Sequence, residues 1–370
     1  MARIITITSG KGGVGKTSIS LNLSLSLASR GFRVCLFDAD LGLANVNILT
    51  GLYPKKDLES VISGQFSLKE IIIKDYQGID IIPGSSGVEK IADLTQTQTG
   101  TLISAFLDLE DYDYFIFDTS AGISAQVLSF CMASHEIILV ATCEPTSLTD
   151  AYSMLKVLSK YEYDSPVKVV INQVTSGRAA QKAYAKLKET VQRFLSIKVE
   201  PLGIVATDKN VRAAVISQTP FFMLFPDTLA SKCIKSLTDK LISRAHETGD
   251  LPLEIFWDKC LSFLKKHHAS KKEQVPEKET KKEKALADPE MTQAVARIEL
   301  RLSQLFKEVG EIRQILKGQE QARKVAAPAA VVVSAEPLSK AVSVAPVAPA
   351  VEGLGDPREI LLDFEAWRGN

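Results

Sequence analysis

Residues 10–17 read Gly-Lys-Gly-Gly-Val-Gly-Lys-Thr and directly follow the apolar run Ile4-Ile5-Thr6-Ile7-Thr8. The octet fits G-x-x-x-x-G-K-[ST], a loop that joins a strand to a helix and holds phosphate. A triphosphate needs many donors converging on it. Successive backbone N–H groups of a glycine-rich turn supply them, and the next helix aims its positive N-terminus at the same place. Gly12, Gly13 and Gly15 bring the backbone close with no Cβ in the way. Lys16 reaches the β- and γ-phosphates, and the Thr17 hydroxyl is a magnesium ligand. Gly10, Lys11, Gly12, Gly13, Val14, Gly15, Lys16, Thr17 and Ser18 are therefore the expected binding segment for a nucleoside triphosphate with Mg2+. Ile19, Leu21, Leu23, Leu25 and Leu27 then carry an apolar helix to a stop at Arg30-Gly31.

Composition narrows the classes. With 370 residues, 45% hydrophobic and 24% charged, the chain has globular values and room for one large or two ordinary domains. A formal net charge of zero gives no bulk attraction to nucleic acid. The five cysteines, Cys35, Cys131, Cys143, Cys233 and Cys260, form no C-x-x-C pair, so neither a zinc or iron–sulfur site nor a disulfide framework is expected. Met1 is followed almost at once by the first strand, so no signal peptide is expected. No apolar run approaches the roughly 18–20 residues of a spanning helix.

Residues 1–250 alternate strand-like and helix-like patterns, which predicts an α/β fold with a mostly parallel sheet flanked by helices. Strands are expected at 3–8, Val34–Phe37, Ile79–Pro83, Tyr114–Asp118, Ile137–Thr142, Val167–Asn172 and Leu202–Val205. Several are continuous Val, Ile and Phe runs, as in strands buried on both faces. An amphipathic helix is expected over 251–268, then a Lys- and Glu-rich linker over 269–287. A coiled coil over 288–322 follows, then a flexible Ala, Val, Pro and Ser spacer over 323–356. A short apolar segment over 357–370 ends the chain.

Two acid-bearing strand ends mark the rest of the site. Phe37-Asp38-Ala39-Asp40 ends the second strand, and Tyr114-Phe115-Ile116-Phe117-Asp118 is an apolar strand closed by a carboxylate. Acids at the C-terminal edge of parallel strands sit beside the phosphate crevice, and Asp118 is placed to hold magnesium through water. The four histidines show no catalytic or metal-ligand spacing.

The octet, with its second lysine, resembles the deviant Walker A motif of the MinD/ParA family of P-loop NTPases. The resemblance implies an ATP hydrolase active as a face-to-face homodimer, in which Lys11 crosses to the partner's phosphates. That lysine supplies the positive charge an arginine finger supplies elsewhere. It makes Lys11, Lys16 and Asp40 the catalytic residues, Asp40 orienting the attacking water, with Asp38 and Asn45 in the same switch. Thr119-Ser120-Ala121-Gly122 resembles the second switch, Gly122 included. Asn172 matches an adenine-contacting asparagine. Asp208 matches a second adenine wall, Ile-Pro-x-Asp in the family, whose proline is Ala206 here. Asp150 matches a helix position used in dimer and partner contacts.

Asp38–Val46, Ile82–Lys90, Glu144–Tyr152 and Val211–Val215 with Gln218 and Pro220 look like the FlhG (FleN or YlxH) branch, over about residues 1–250. That branch implies regulation of flagellar number and placement, with the flagellar GTPase FlhF or a flagellar transcription or assembly factor as partner. Many members activate FlhF through a helical motif ahead of the first strand. This sequence starts at that strand, so activation by that route is not expected. The alternative from the same fold is a MinD/ParA-type positioning ATPase for cell division or for DNA or cargo partitioning. Neutral charge does not favour the DNA version, and no specific nucleic-acid partner is expected. An iron–sulfur carrier lacks its C-x-x-C, and a tyrosine kinase on this fold lacks its tyrosine-rich tail.

Leu253, Phe256, Trp257, Cys260, Leu261 and Leu264 fall on one helix face. With lysines around it, this face suits a membrane surface; Phe256, Trp257, Leu261 and Leu264 are the expected lipid-facing residues. The other use of such a helix is to close the ATPase core. The membrane version places the protein in the cytoplasm, peripheral on the inner face of the cell membrane when ATP-bound. Asp288-Pro289-Glu290 is a helix start. Met291, Val295, Ile298, Leu302, Leu305, Val309, Ile312 and Leu316 continue it as a heptad seam that wants a partner helix.

Overall fold

The structure, a computed structural model, describes residues 2–40, 45–54, 56–84, 94–107, 109, 112–243 and 252–273. In chain order the strands are β1 (Arg3–Ser9), β2 (Val34–Ala39), β3 (Ile73–Tyr76), β4 (Ile79–Ile82), β5 (Tyr114–Ala121), β6 (Glu136–Thr142), β7 (Val167–Val174) and β8 (Val199–Ala206). The helices are α1 (Lys16–Ala28), α2 (Asn45–Thr50), α3 (Leu58–Ile62), α4 (Leu68–Ile71), α5 (Gln96–Leu107), α6 (Ala125–Ala133), α7 (Pro145–Lys160), α8 (Gly177–Phe194), α9 (Lys209–Ile216), α10 (Phe221–Leu224), α11 (Leu229–Ser243) and α12 (Leu253–Glu273). The coiled-coil, spacer and terminal expectations, and most of the charged linker, fall outside the described residues. The helix expected to end at 268 continues to Glu273.

The strands form one eight-stranded sheet in the order β3-β4-β2-β5-β1-β6-β7-β8. All neighbours pair in parallel except β3 with β4. The antiparallel β3 was not expected. Only four residues long and half exposed, it carries no buried-strand signature. The first strand lies centrally, with β5 on one side and β6 on the other. Its C-terminal end is thus where the chain's winding reverses, the place at which open α/β sheets bind ligands.

Side chains alternate across this sheet with period two. Ile5 and Ile7 of β1, Val34 and Leu36 of β2, and Ile116 of β5 join a core closed by α1, α10 and α11. Ile4, Cys35, Phe37, Phe115 and Phe117 point the other way, under α3, α4, α5 and α6. A third cluster fills the space between β6, β7 and helices α6, α7 and α8. Helix α1 is buried nearly all round. Its leucines contact core on every side, and Ser20 and Ser24 donate back to Lys16 and Ser20 carbonyls at 3.0 and 2.7 Å. At the opposite end of the strands from the loop, Glu136 bridges Arg3 and Lys168, both at 2.7 Å, in a buried ion triad.

Helix α12 corrects one expectation. Phe256, Trp257, Leu261 and Leu264 are all buried in the second core rather than turned outward to lipid. The physical reason is the face it covers. Phe37, Phe106, Phe117 and Phe130 form an aromatic floor that needs a lid, and Trp257 sits 4.4 Å from Phe106 while Phe256 sits 4.6 Å from Phe117, centroid to centroid. Cys260 completes the contact by donating to Ser129 at 3.2 Å. Trp257→Ala is therefore expected to cost about 3–5 kcal/mol of folding stability, the range for deleting a large core aromatic. Urea unfolding checks it; a loss below about 0.5 kcal/mol, as for an exposed side chain, would place the helix outside the core.

Candidate functional site

The phosphate loop leaves β1 at Ser9 and enters α1 at Lys16. Gly13 and Gly15 have φ of +76° and +89°, a region that favours glycine. Gly10 has a different reason. A Cβ there would overlap the backbone carbonyl of Asp150, so the loop's start lies directly on α7. Ser9 accepts the Gly122 N–H at 2.9 Å through its carbonyl, and its hydroxyl donates to the Lys11 carbonyl at 2.7 Å. Gly122, just past the end of β5, is thereby stitched to the loop.

The acids converge as expected. Register pairs Asp38 of β2 with Asp118 of β5, and both are fully buried. Burial, opposed by hydrogen bonds from Thr17 and Ser20 and by the Lys16 charge, pushes the Asp118 carboxyl up to about 6. Ser20 donates to its Oδ1 at 2.9 Å, while Oδ2 is buried with no partner. Burial, then the neighbouring Asp118, raises Asp38 as well. Asp38 also ties together the backbone that follows β2: its carboxylate accepts the Asp40 N–H at 3.2 Å and the Val46 N–H at 3.3 Å. Gly84 makes room for that strand end, since a Cβ on it would lie 2.6 Å from the Asp38 carbonyl. Lys16 is lowered by burial, against the raising effect of Asp118 and Asp40.

A desolvated lysine marks where phosphate oxygens belong. An orphaned carboxylate oxygen beside the Thr17 hydroxyl marks where a divalent cation belongs. Among the described residues no group of three or more His, Cys, Asp or Glu side chains could hold a metal by itself. Thr17 and Asp118 fit Mg2+, which keeps waters and relies on phosphates plus one or two protein oxygens.

Three expected residues take other partners. Lys11 Nζ donates within its own chain to Glu144 Oε2 at 2.7 Å and Thr146 Oγ1 at 2.9 Å. The side chains of Lys11 and Glu144 are 36% and 64% exposed, so the pair is a weak surface one. The Asn172 amide donates to the Val14 carbonyl at 2.7 Å. Asp208 has its carboxylate engaged as a cap, accepting Asn210 N–H at 2.9 Å and Ala230 N–H at 3.4 Å. It shapes the segment after β8. Asp150 is half buried on α7 beside Gly10, and Asn45 opens α2, its side chain outside the description. Ser20, Glu144, Thr146 and Gln173 were missed as site residues. Ser20 could have been found, one helical turn after Lys16; the others meet the loop only through the fold.

A strand–loop–helix phosphate cradle at a sheet's switch point, with two strand-end acids, defines a P-loop ATPase. Residues 2–169 match the family model described as "AAA domain". The antiactivator FleN of Pseudomonas aeruginosa is 40% identical over 242 residues, covering 65% of this chain and 86% of FleN. The flagellum site-determining protein YlxH of Helicobacter pylori is 33% identical over 272 residues, 71% of this chain and 90% of YlxH. The MinD of Pyrococcus horikoshii, solved as a complex with Mg-ADP, superposes with a TM-score of 0.54 at 25% identity, covering 68% of this chain and all of that one. The chain belongs to the MinD/ParA family of P-loop ATPases, in the FlhG branch that includes FleN and YlxH.

The buried acid yields a test with a definite sign. A carboxyl raised from 3.8 to about 6 on folding stabilises the fold below pH 3.8 and loses that contribution as pH rises through 6. The loss is about 3 kcal/mol at 1.36 kcal/mol per unit. Nucleotide-free Asp118→Asn should therefore be more stable than wild type at pH 7.5 by a few kcal/mol, the gap closing near pH 4. The same variant should lose magnesium-dependent ATP binding. Denaturant melts at the two pH values, with ATP titrations with and without Mg2+, measure both.

Proposed function

We propose that this protein is an ATP-driven switch that regulates the number or placement of flagella. The observation that carries the reading is similarity to FleN and YlxH over 86% and 90% of their lengths. The Bacillus subtilis septum site-determining protein MinD is 29% identical over a comparable span. A flagellar partner, whether a GTPase such as FlhF or a transcription or assembly factor, belongs to this reading. Deletion in the host is expected to change flagellar number or position in electron micrographs. Wild type should restore it and Lys16→Ala should not. Normal flagella with displaced septa would favour the cell-division reading instead.

The working form in this reading is a homodimer with Mg-ATP at the interface. Lys11 then exchanges Glu144 and Thr146 for the partner's phosphates. A surface ion pair contributes only about 0.2–1 kcal/mol, so a triphosphate can take the lysine from it. Action at the inner face of the membrane adds a condition: α12 must leave its aromatic floor to present Phe256 and Trp257 to lipid. ATP-dependent co-sedimentation with anionic liposomes tests that part by itself.

Lys11 and Asp40 should separate binding from turnover. Lys11→Ala is expected to bind ATP with near wild-type affinity yet hydrolyse it at least 10²-fold more slowly, the loss being of an arginine-finger-like charge. Asp40→Ala should also bind ATP and turn it over about 10²-fold more slowly, as when a positioned catalytic group is lost. Steady-state phosphate release with parallel nucleotide titrations decides. Wild-type turnover in either variant would remove that residue from the mechanism.

A further inference from the structure

Asn172 and Gln173 are consecutive residues at the end of β7, and both reach the phosphate loop. Asn172 Nδ2 donates to the Val14 carbonyl at 2.7 Å, and Gln173 Nε2 donates to the Gly13 carbonyl at 3.3 Å. Consecutive residues of a regular strand point to opposite faces, so a straight β7 could offer only one of them. The chain departs from regularity at this point. The β7–β8 register shifts between Ile171 and Val174, and Gln173 adopts φ of +56°, a left-handed conformation that a non-glycine residue adopts at a cost. Its N–H is turned back onto Asn172 Oδ1 at 2.8 Å. A bulge beside an active site re-aims a side chain, and strain of this kind persists where surrounding contacts enforce it.

We propose that Gln173 is a positioning residue for ATP binding, bracing the phosphate loop from the strand that ends beside it. The carbonyls of Gly13 and Val14 are drawn toward β7 by the two amides. Carbonyl and N–H of successive peptides are fixed relative to each other by planarity. Holding these carbonyls on the β7 side therefore limits the orientations open to the loop's N–H groups before nucleotide arrives. Gly15 confirms how closely the two elements fit, since a Cβ on it would overlap Asn172 Nδ2. The contact that carries the role is the one to the Gly13 carbonyl, so Gln173 acts through the loop backbone. The role follows from ATP binding alone and is independent of the flagellar reading.

Full-length Gln173→Ala and Gln173→Gly test it by an opposition of signs. Both remove the amide, and loss of one such hydrogen bond should weaken Mg-ATP and Mg-ADP binding alike, by about 2- to 10-fold. Gln173→Gly also relieves the left-handed backbone, so its nucleotide-free melting temperature should equal or exceed that of wild type. A glycine variant at least as stable as wild type that binds both nucleotides less tightly establishes the brace. Unchanged affinity in both variants overturns it. A fall in affinity that accompanies a fall in the glycine variant's melting temperature also overturns it, because it marks Gln173 as an ordinary structural residue.

Discussion

The close seating of the phosphate loop on α7 and β7 is the constraint from which the rest of the site follows. At Gly10 the loop lies against the Asp150 carbonyl of α7, and at Gly15 it lies against the Asn172 amide of β7. The first admits no Cβ, and at the second a Cβ would crowd the Asn172 amide on a residue already at a left-handed φ of +89°. The loop is thus held from α7 and β7, while β5 supplies Asp118 and β2 supplies Asp38. What remains is a crevice lined by a desolvated lysine and two desolvated acids. Burial disfavours the charged form of each. Such a site withholds folding free energy that binding then recovers.

Much of this was legible in the sequence because the signals are local. The octet, the apolar strand before it and the strand-closing acids each occupy a few consecutive residues. The parallel sheet was legible for the same reason, as buried strands read as unbroken Val, Ile and Phe runs. Helix α1 shows how burial can disguise a period. Its apolar residues alternate with serine and asparagine, a strand-like spacing, yet the segment is helical. A helix buried all round has no polar face to reveal 3.6-residue periodicity, and Ser20 and Ser24 satisfy their hydroxyls on their own backbone.

What stayed illegible depends on contacts between distant positions. Lys11 and Glu144 are 133 residues apart, and Gln173 and Gly13 are 160 apart. No spacing rule joins such pairs. The capping task of Asp208 was not legible, since it needs the position of Ala230. A left-handed glutamine at 173 has no composition signal at all, since glycine, asparagine or aspartate is the usual marker of that conformation.

Helix α12 shows where a local signal is real but cannot choose its partner. One apolar face satisfies a membrane and a core equally. The choice rests on what else must be covered. Period-two alternation puts Asp38 and Asp118 on the phosphate side of β2 and β5, so Phe37 and Phe117, one residue earlier, face the other way and need a roof. Burying Phe256, Trp257, Leu261 and Leu264 there contributes roughly 6–12 kcal/mol at 1.5–3 kcal/mol per large side chain. That is comparable to the whole stability of a domain. Transfer of the helix to lipid would restore burial of its own face but not of the aromatic floor. Release therefore needs a second term that covers Phe37, Phe106, Phe117 and Phe130 or compensates for exposing them. Any membrane cycle must supply that term through nucleotide or partner binding. Two residues of that floor, Phe37 and Phe117, directly precede Asp38 and Asp118 on β2 and β5, so the roofed face and the acid-bearing face are opposite sides of the same two strand ends.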